Sequence, residues 1–142
     1  MTDFRTYEVV QHWAIAFSKD SAYPWWKRIC PGKYKHVSLF RFSAPADSWL
    51  YIDVNFSGVD VILAPGDTEA IEVICKAMGD VDVLTIGVQA KPKIMFSGLM
   101  TCVSFVKHVL GITNPFVQFP DQLYKHLVKA GAESVQGSVR LT

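Results

Sequence analysis

Two runs of alternating character constrain this chain more than any other feature. Residues 35–43 (KHVSLFRFS) and 49–56 (WLYIDVNF) carry apolar side chains at nearly every second position, and Ala44-Pro45-Ala46-Asp47 separates them. Successive side chains of a strand point to opposite faces, so two such runs around a Pro-containing break predict a β-hairpin with a loop of about four to six residues. Residues 58–63 (GVDVIL), after Ser57-Gly58, offer a third strand, and the simplest arrangement of the three is an antiparallel meander. Residues 8–18 (EVVQHWAIAFS) and 81–88 (VDVLTIGV) add two more β-rich segments, the first mostly buried by its content of β-branched and aromatic residues. A sheet of about five strands is expected.

Helical spacing appears elsewhere. Ile71, Ile74, Cys75 and Met78 recur at three- and four-residue intervals after a cap at Asp67 or Thr68, and Gly79 closes that segment. Thr101 is a natural N-cap for a helix whose Val103, Val106 and Leu110 share a face and whose end is Gly111. Another helix follows Pro120 and carries Leu123, Leu127 and Val128 up to Gly131. Residues 21–32 (SAYPWWKRICPG) form a short helix or an aromatic loop, with Pro24 suited to a first turn and Pro31-Gly32 to a stop. The fold class expected is α+β, a central antiparallel sheet with helices packed on it. Residues 1–131 form one domain, and residues 132–142 a flexible or docking tail.

Composition narrows the function. The chain has 142 residues, is 50% apolar and carries 14 Lys+Arg against 13 Asp+Glu, so neither whole-chain disorder nor a strongly basic nucleic-acid stripe fits. No nucleic-acid partner is expected. No run approaches the roughly 18 uninterrupted apolar residues of a spanning helix, and the start lacks the layout of a signal peptide, which implies cytoplasmic synthesis and no membrane segment. Three widely spaced cysteines, Cys30, Cys75 and Cys102, suit neither a disulfide framework nor structural zinc. No cofactor or metal is expected.

Cys102 follows the candidate N-cap, so its sulfur would lie in the first turn of a helix, where unpaired N–H groups and the positive dipole end favour thiolate. The alternative is a small buried hydrophobe, the usual role of a free cysteine. That structural role is expected for Cys30 and Cys75. A nucleophilic thiol needs a base, and the base an orienting group. Of four histidines, His36, at the start of the hairpin, is the one well placed; His12 is inside a strand, and His108 and His126 are expected on helix surfaces. Across the hairpin, His36 lies opposite residues 53–55, and both Asp53 and Asn55 project from one face of WLYIDVN.

The runs PWWKRICPGKYKHVSLFRF, WLYIDVNFSGVDVIL, MTCVSFVKHVLGI and FPDQLYKHL resemble a family of small phage-associated proteins with a PG-x-x-x-H segment, a T-C-V-x-x-x-K-x-x-L-G-I helix and a P-x-Q-L-Y-x-x-L helix. That family is similar to circularly permuted NlpC-like cysteine peptidases of papain-like fold, in which the His strand precedes the Cys helix. Lecithin retinol acyltransferase-like enzymes share this permutation. The likeness covers roughly residues 23–128. It implies Cys102 as nucleophile, His36 as general base and then acid, and Asp53 or Asn55 as third member. Val103 after the cysteine departs from the small or aromatic residue of many papain-like peptidases, and no strong oxyanion-hole side chain declares itself. Gln11 is a candidate donor beside the Cys102 N–H. Trp25 and Trp26, next to Lys27 and Arg28, would rim a substrate groove or grip a partner, or else form a lid over the sheet.

The resemblance thus implies a peptidase or amidase acting on peptidoglycan peptides or a virion protein. The alternatives are a catalytically silent virion structural or accessory protein that binds other phage proteins, and a thiol acyltransferase.

Overall fold

The computed structural model describes residues 10–21, 23–43, 47–55, 58–66, 81–89 and 101–135. Within them lie strands β1 (Val10–Ser18), β2 (His36–Ser43), β3 (Ser48–Asn55), β4 (Gly58–Pro65), β5 (Val81–Gln89) and β6 (Glu133–Val135). The helices are α1 (Pro24–Ile29), α2 (Cys102–Leu110) and α3 (Pro120–Lys129). The helix expected between Asp67 and Gly79, with Cys75 on it, lies outside the described residues.

All six strands form one antiparallel sheet in the order β4-β3-β2-β1-β5-β6. The expected meander is there as β2-β3-β4, and β1 extends it on the inner side. β4 and β5 run the same way with three strands between them. The sixth strand is an addition to the five expected: Glu133–Val135, in the segment assigned to a tail, pairs with β5 through Val83↔Val135, Leu84↔Ser134 and Thr85↔Glu133.

Alternation sorts the sheet into two faces. Ile15, Phe17, Val37, Leu39 and Leu84 are buried on one face against Val103, Val106 and Leu110 of α2 and Leu123 and Leu127 of α3. Each large side chain so buried contributes roughly 1.5–3 kcal/mol. Ala16, Phe40, Tyr51 and Val83 form a smaller cluster on the other face. The class is therefore α+β, an antiparallel sheet with helices on it. No helix among the described residues is long and apolar enough to cross a membrane.

The connection into β2 is built around one turn. Gly32 has φ +86°, a left-handed conformation that glycine adopts without penalty. This brings the backbone N–H groups of Lys33 and Tyr34 onto the Asp121 carboxylate, at 3.2 and 2.7 Å. Asp121 belongs to the first turn of α3, so the turn before β2 is tied to the helix on the core face. Tyr34 is buried between Phe17 and Tyr124, its hydroxyl donating to Asp82. Burial and that carboxylate raise its pKa.

Candidate active site

The first residue of β2, the end of β3 and the first turn of α2 meet at one end of the sheet. A small cleft there is lined by His36, Val54, Asn55, Thr101 and Cys102, and closed on the α1 side by Ser21, Tyr23 and Trp26.

Local sequence explains how Cys102 arrives in it. Thr101 adopts extended backbone and its Oγ1 accepts from the Ser104 N–H at 3.1 Å, while Ser104 Oγ accepts from the Thr101 N–H at 2.6 Å. This reciprocal pair starts α2 at Cys102 and satisfies donors the helix cannot satisfy itself. Gly111, at φ +72°, ends it. Val103, Val106 and Leu110 fix the rotation of α2 by burying one stripe, which leaves Cys102 at the junction of core and cleft, 8% exposed. Lys107 of the same run donates to the carbonyls of Asn114 and Val117 at 2.8 and 2.9 Å, pinning the following loop to the helix.

His36 stands between two partners. Its Nε2 donates to Asp53 Oδ1, and its ring faces the same cleft as the Cys102 thiol, close enough for the two groups to influence each other's charge. With Nε2 committed to the carboxylate, Nδ1 is the nitrogen left for sulfur. Burial opposes a charge on this ring, but the bond to Asp53 and then the contact with Cys102 outweigh it, and the His36 pKa rises from 6.5 to about 10.

Between Asp53 and Asn55, the carboxylate takes the imidazole. Leu39 pairs with Ile52, so the register places Ser38 opposite Asp53, and His36 reaches Asp53 diagonally. Asn55 lines the cleft, and its Oδ1 accepts from the Tyr23 hydroxyl at 3.4 Å, joining the end of β3 to the segment that leads into α1. Tyr51, two residues before Asp53 on the same face, is a neighbour of both the Asp53 carboxylate and Ser38.

Gln11 is not brought to Cys102. It pairs with Val88, seven positions along β1 from Ser18, which faces His36 in the ladder, and its Oε1 accepts from Trp13 Nε1 at 3.2 Å. At about 3.3 Å per residue it lies more than 20 Å from the cleft end of the strand. Trp26 lines the cleft, held by Nε1 donating to the Lys35 carbonyl at 2.7 Å and by contact with Phe119. Trp25 does not line it; the ring is 50% exposed and packs edge-on against Trp26 and Tyr23.

Cys30 is the contrast to Cys102. Its sulfur faces the Tyr34 and Pro31 carbonyls, and burial raises its pKa, which favours an inert thiol. His12 and His108 are exposed, away from the cleft. Tyr23, Ser21 and Val54 were not singled out from sequence; nothing in their local pattern says that α1 folds over the end of β3. Tyr51 carried a weak signal, since alternation from Asp53 puts it on the same face. Comparison with protein-family models, with curated proteins and with solved structures finds no match to this chain.

Proposed function

We propose that this protein is a cysteine hydrolase, a peptidase or amidase, with Cys102 as nucleophile, His36 as proton carrier and Asp53 as the group that orients it. The observation that carries the reading is a single imidazole bonded to a carboxylate and sharing one cleft with a thiol at the start of a helix. That is the geometry nucleophilic thiol chemistry requires.

In the mechanism, an imidazolium held by Asp53 pairs with the Cys102 thiolate. The sulfur attacks the substrate carbonyl carbon and forms the S–C bond, while electron density moves onto the carbonyl oxygen. His36 gives its proton to the leaving nitrogen, the C–N bond breaks, and an acyl-enzyme remains. A water then adds to the thioester with His36 taking its proton, and the carboxylic acid leaves as the thiolate re-forms. The Cys102 backbone N–H, at the start of α2, would donate to the developing oxyanion, without the help of Gln11. The permuted NlpC-like, papain-like architecture is consistent with a His strand that precedes the Cys helix, and it would make peptidoglycan stem peptides, or a virion protein of a phage, the substrate. A catalytically silent scaffold that binds a partner is the second reading, favoured by the exposed Trp25 and Ile29 on α1.

Alkylation separates the two. Iodoacetamide at pH 6 to 7 is expected to modify Cys102 on the order of tenfold faster than Cys30 or Cys75, with the site read by peptide mass mapping. His36→Ala should abolish the difference. Equal rates in the unaltered protein would leave only the scaffold.

A further inference from the structure

The orienting group of the cleft has an unusual setting. Asp53 lies in register with Asp60 of β4, a second carboxylate directly across the strand pair, and like charges so placed repel. A carboxylate that is part-exposed, with a like charge beside it, has reason to turn away from His36 unless something else holds it. Tyr51 supplies that hold. Its ring is buried against Phe40, with centroids 4.8 Å apart, so the phenol has little freedom. By register Tyr51, Ser38 and Asp53 are neighbours on one face of the β2–β3 pair, so the Tyr51 hydroxyl has both Ser38 and the Asp53 carboxylate within its surroundings. Ser38 is itself 1% exposed and stands opposite Asp53 in the β2–β3 register.

We propose that Tyr51 is a positioning residue for His36, acting through Asp53: Ser38 donates to the Tyr51 oxygen, Tyr51 donates to the Asp53 carboxylate, and Asp53 accepts from His36 Nε2. This rests on the Cys102–His36 reading and extends it by two residues. The direction of the chain follows from the protonation of its members. Burial first, and then the nearby Asp53 charge, push the Tyr51 pKa up to about 12, so the phenol keeps its proton and remains a donor throughout the working range. Asp53 therefore has one lone pair occupied from below by Tyr51 and another aimed at the ring, with the carboxylate fixed in one orientation. The charged and titratable groups around this chain are Cys102 from α2, Asp53 and Tyr51 from β3 and Asp60 from β4.

The test is the exchange of the His36 Nε2–H proton with water, followed by NMR. Tyr51→Phe keeps the ring and its packing and removes only the hydroxyl; exchange should accelerate on the order of tenfold, the loss of roughly one hydrogen bond to a charged group. Ser38→Ala, which removes the bond that steadies the phenol, should act in the same direction by less, and it carries the test if Tyr51→Phe fails to fold. Asp53→Ala sets the limit of full release. If Asp53→Ala accelerates exchange while Tyr51→Phe and Ser38→Ala do not, Tyr51 only packs and the proposal is overturned, with the thiol–imidazole pair untouched. If Asp53→Ala also has no effect, the link through Asp53 does not exist and the proposal falls for that reason; the alkylation comparison with His36→Ala then decides the hydrolase separately.

Discussion

His36 is a residue whose charge state is set by what faces it. Its folded pKa of about 10 lies above the 6.5 of an unencumbered histidine, so between these values the folded chain holds a proton that the unfolded chain releases. Folding is therefore favoured by this group in full below pH 6.5, progressively less as pH rises, and not at all above pH 10. Urea titrations from pH 6 to 10 should show stability falling with pH, and Asp53→Asn should lessen that fall, because Cys102 is then the one remaining group that offsets burial. Parallel curves for the two proteins would mean that Asp53 does not help His36 hold its extra proton. The same residue shows what reading by pattern could reach. A histidine at the start of an alternating run, with Asp53 and Asn55 in the facing strand, was sufficient to predict the neighbourhood. Which of the two takes the imidazole was not, because the choice depends on a diagonal contact and on Asn55 having Tyr23 as a partner.

At the scale of elements, the turn before β2 is the most demanding piece of local geometry. A Cβ on Gly32 would overlap the Asp121 carboxylate, and the backbone there is left-handed. Gly32→Ala should cost about 2 kcal/mol or more, from about 1–2 kcal/mol of backbone strain plus weakened bonds from Asp121 to Lys33 and Tyr34. A urea midpoint with unchanged slope is the measure. Helix faces were legible because 3.6-residue geometry leaves little choice: Val103, Val106 and Leu110 are all buried as their spacing demands. Val128 is the exception. It was grouped with Leu123 and Leu127 but is 48% exposed, since it stands about 100° round the helix from Leu127 and the buried stripe of α3 is narrow. β4 alternates like its neighbours yet is exposed from Gly58 to Leu63, because it stands at the sheet edge, a position the alternation itself does not reveal.

For the whole molecule, the cleft depends on one shared core. Cys102 and the α2 and α3 stripes belong to the cluster that includes Ile15, Leu39 and Leu84, so the site has no separate foundation. Leu84, fully buried on β5, touches neither His36 nor Asp53 in the strand ladder. Leu84→Ala should destabilise the fold by about 2–5 kcal/mol through the cavity it leaves. Backbone circular dichroism and the His36 ring resonances should then be lost in a single coincident transition. Two separated transitions would show that the cleft end of the sheet stands apart from the core.

What the amino-acid order determined by itself was local: the period of each strand, the helix start at Thr101 and the stop at Gly111. These are settled by forces acting within a few residues. What only the tertiary structure decided was the company each element keeps: β1 between β2 and β5, Glu133–Val135 as a sixth strand, Gln11 at the end of β1 remote from the sulfur, and the pairing of Asp53 with His36. Alternation assigns a side chain to a face, but its neighbour there is set by strand order and register. Those are fixed when distant segments bury their apolar faces together, and no short stretch of chain encodes them alone.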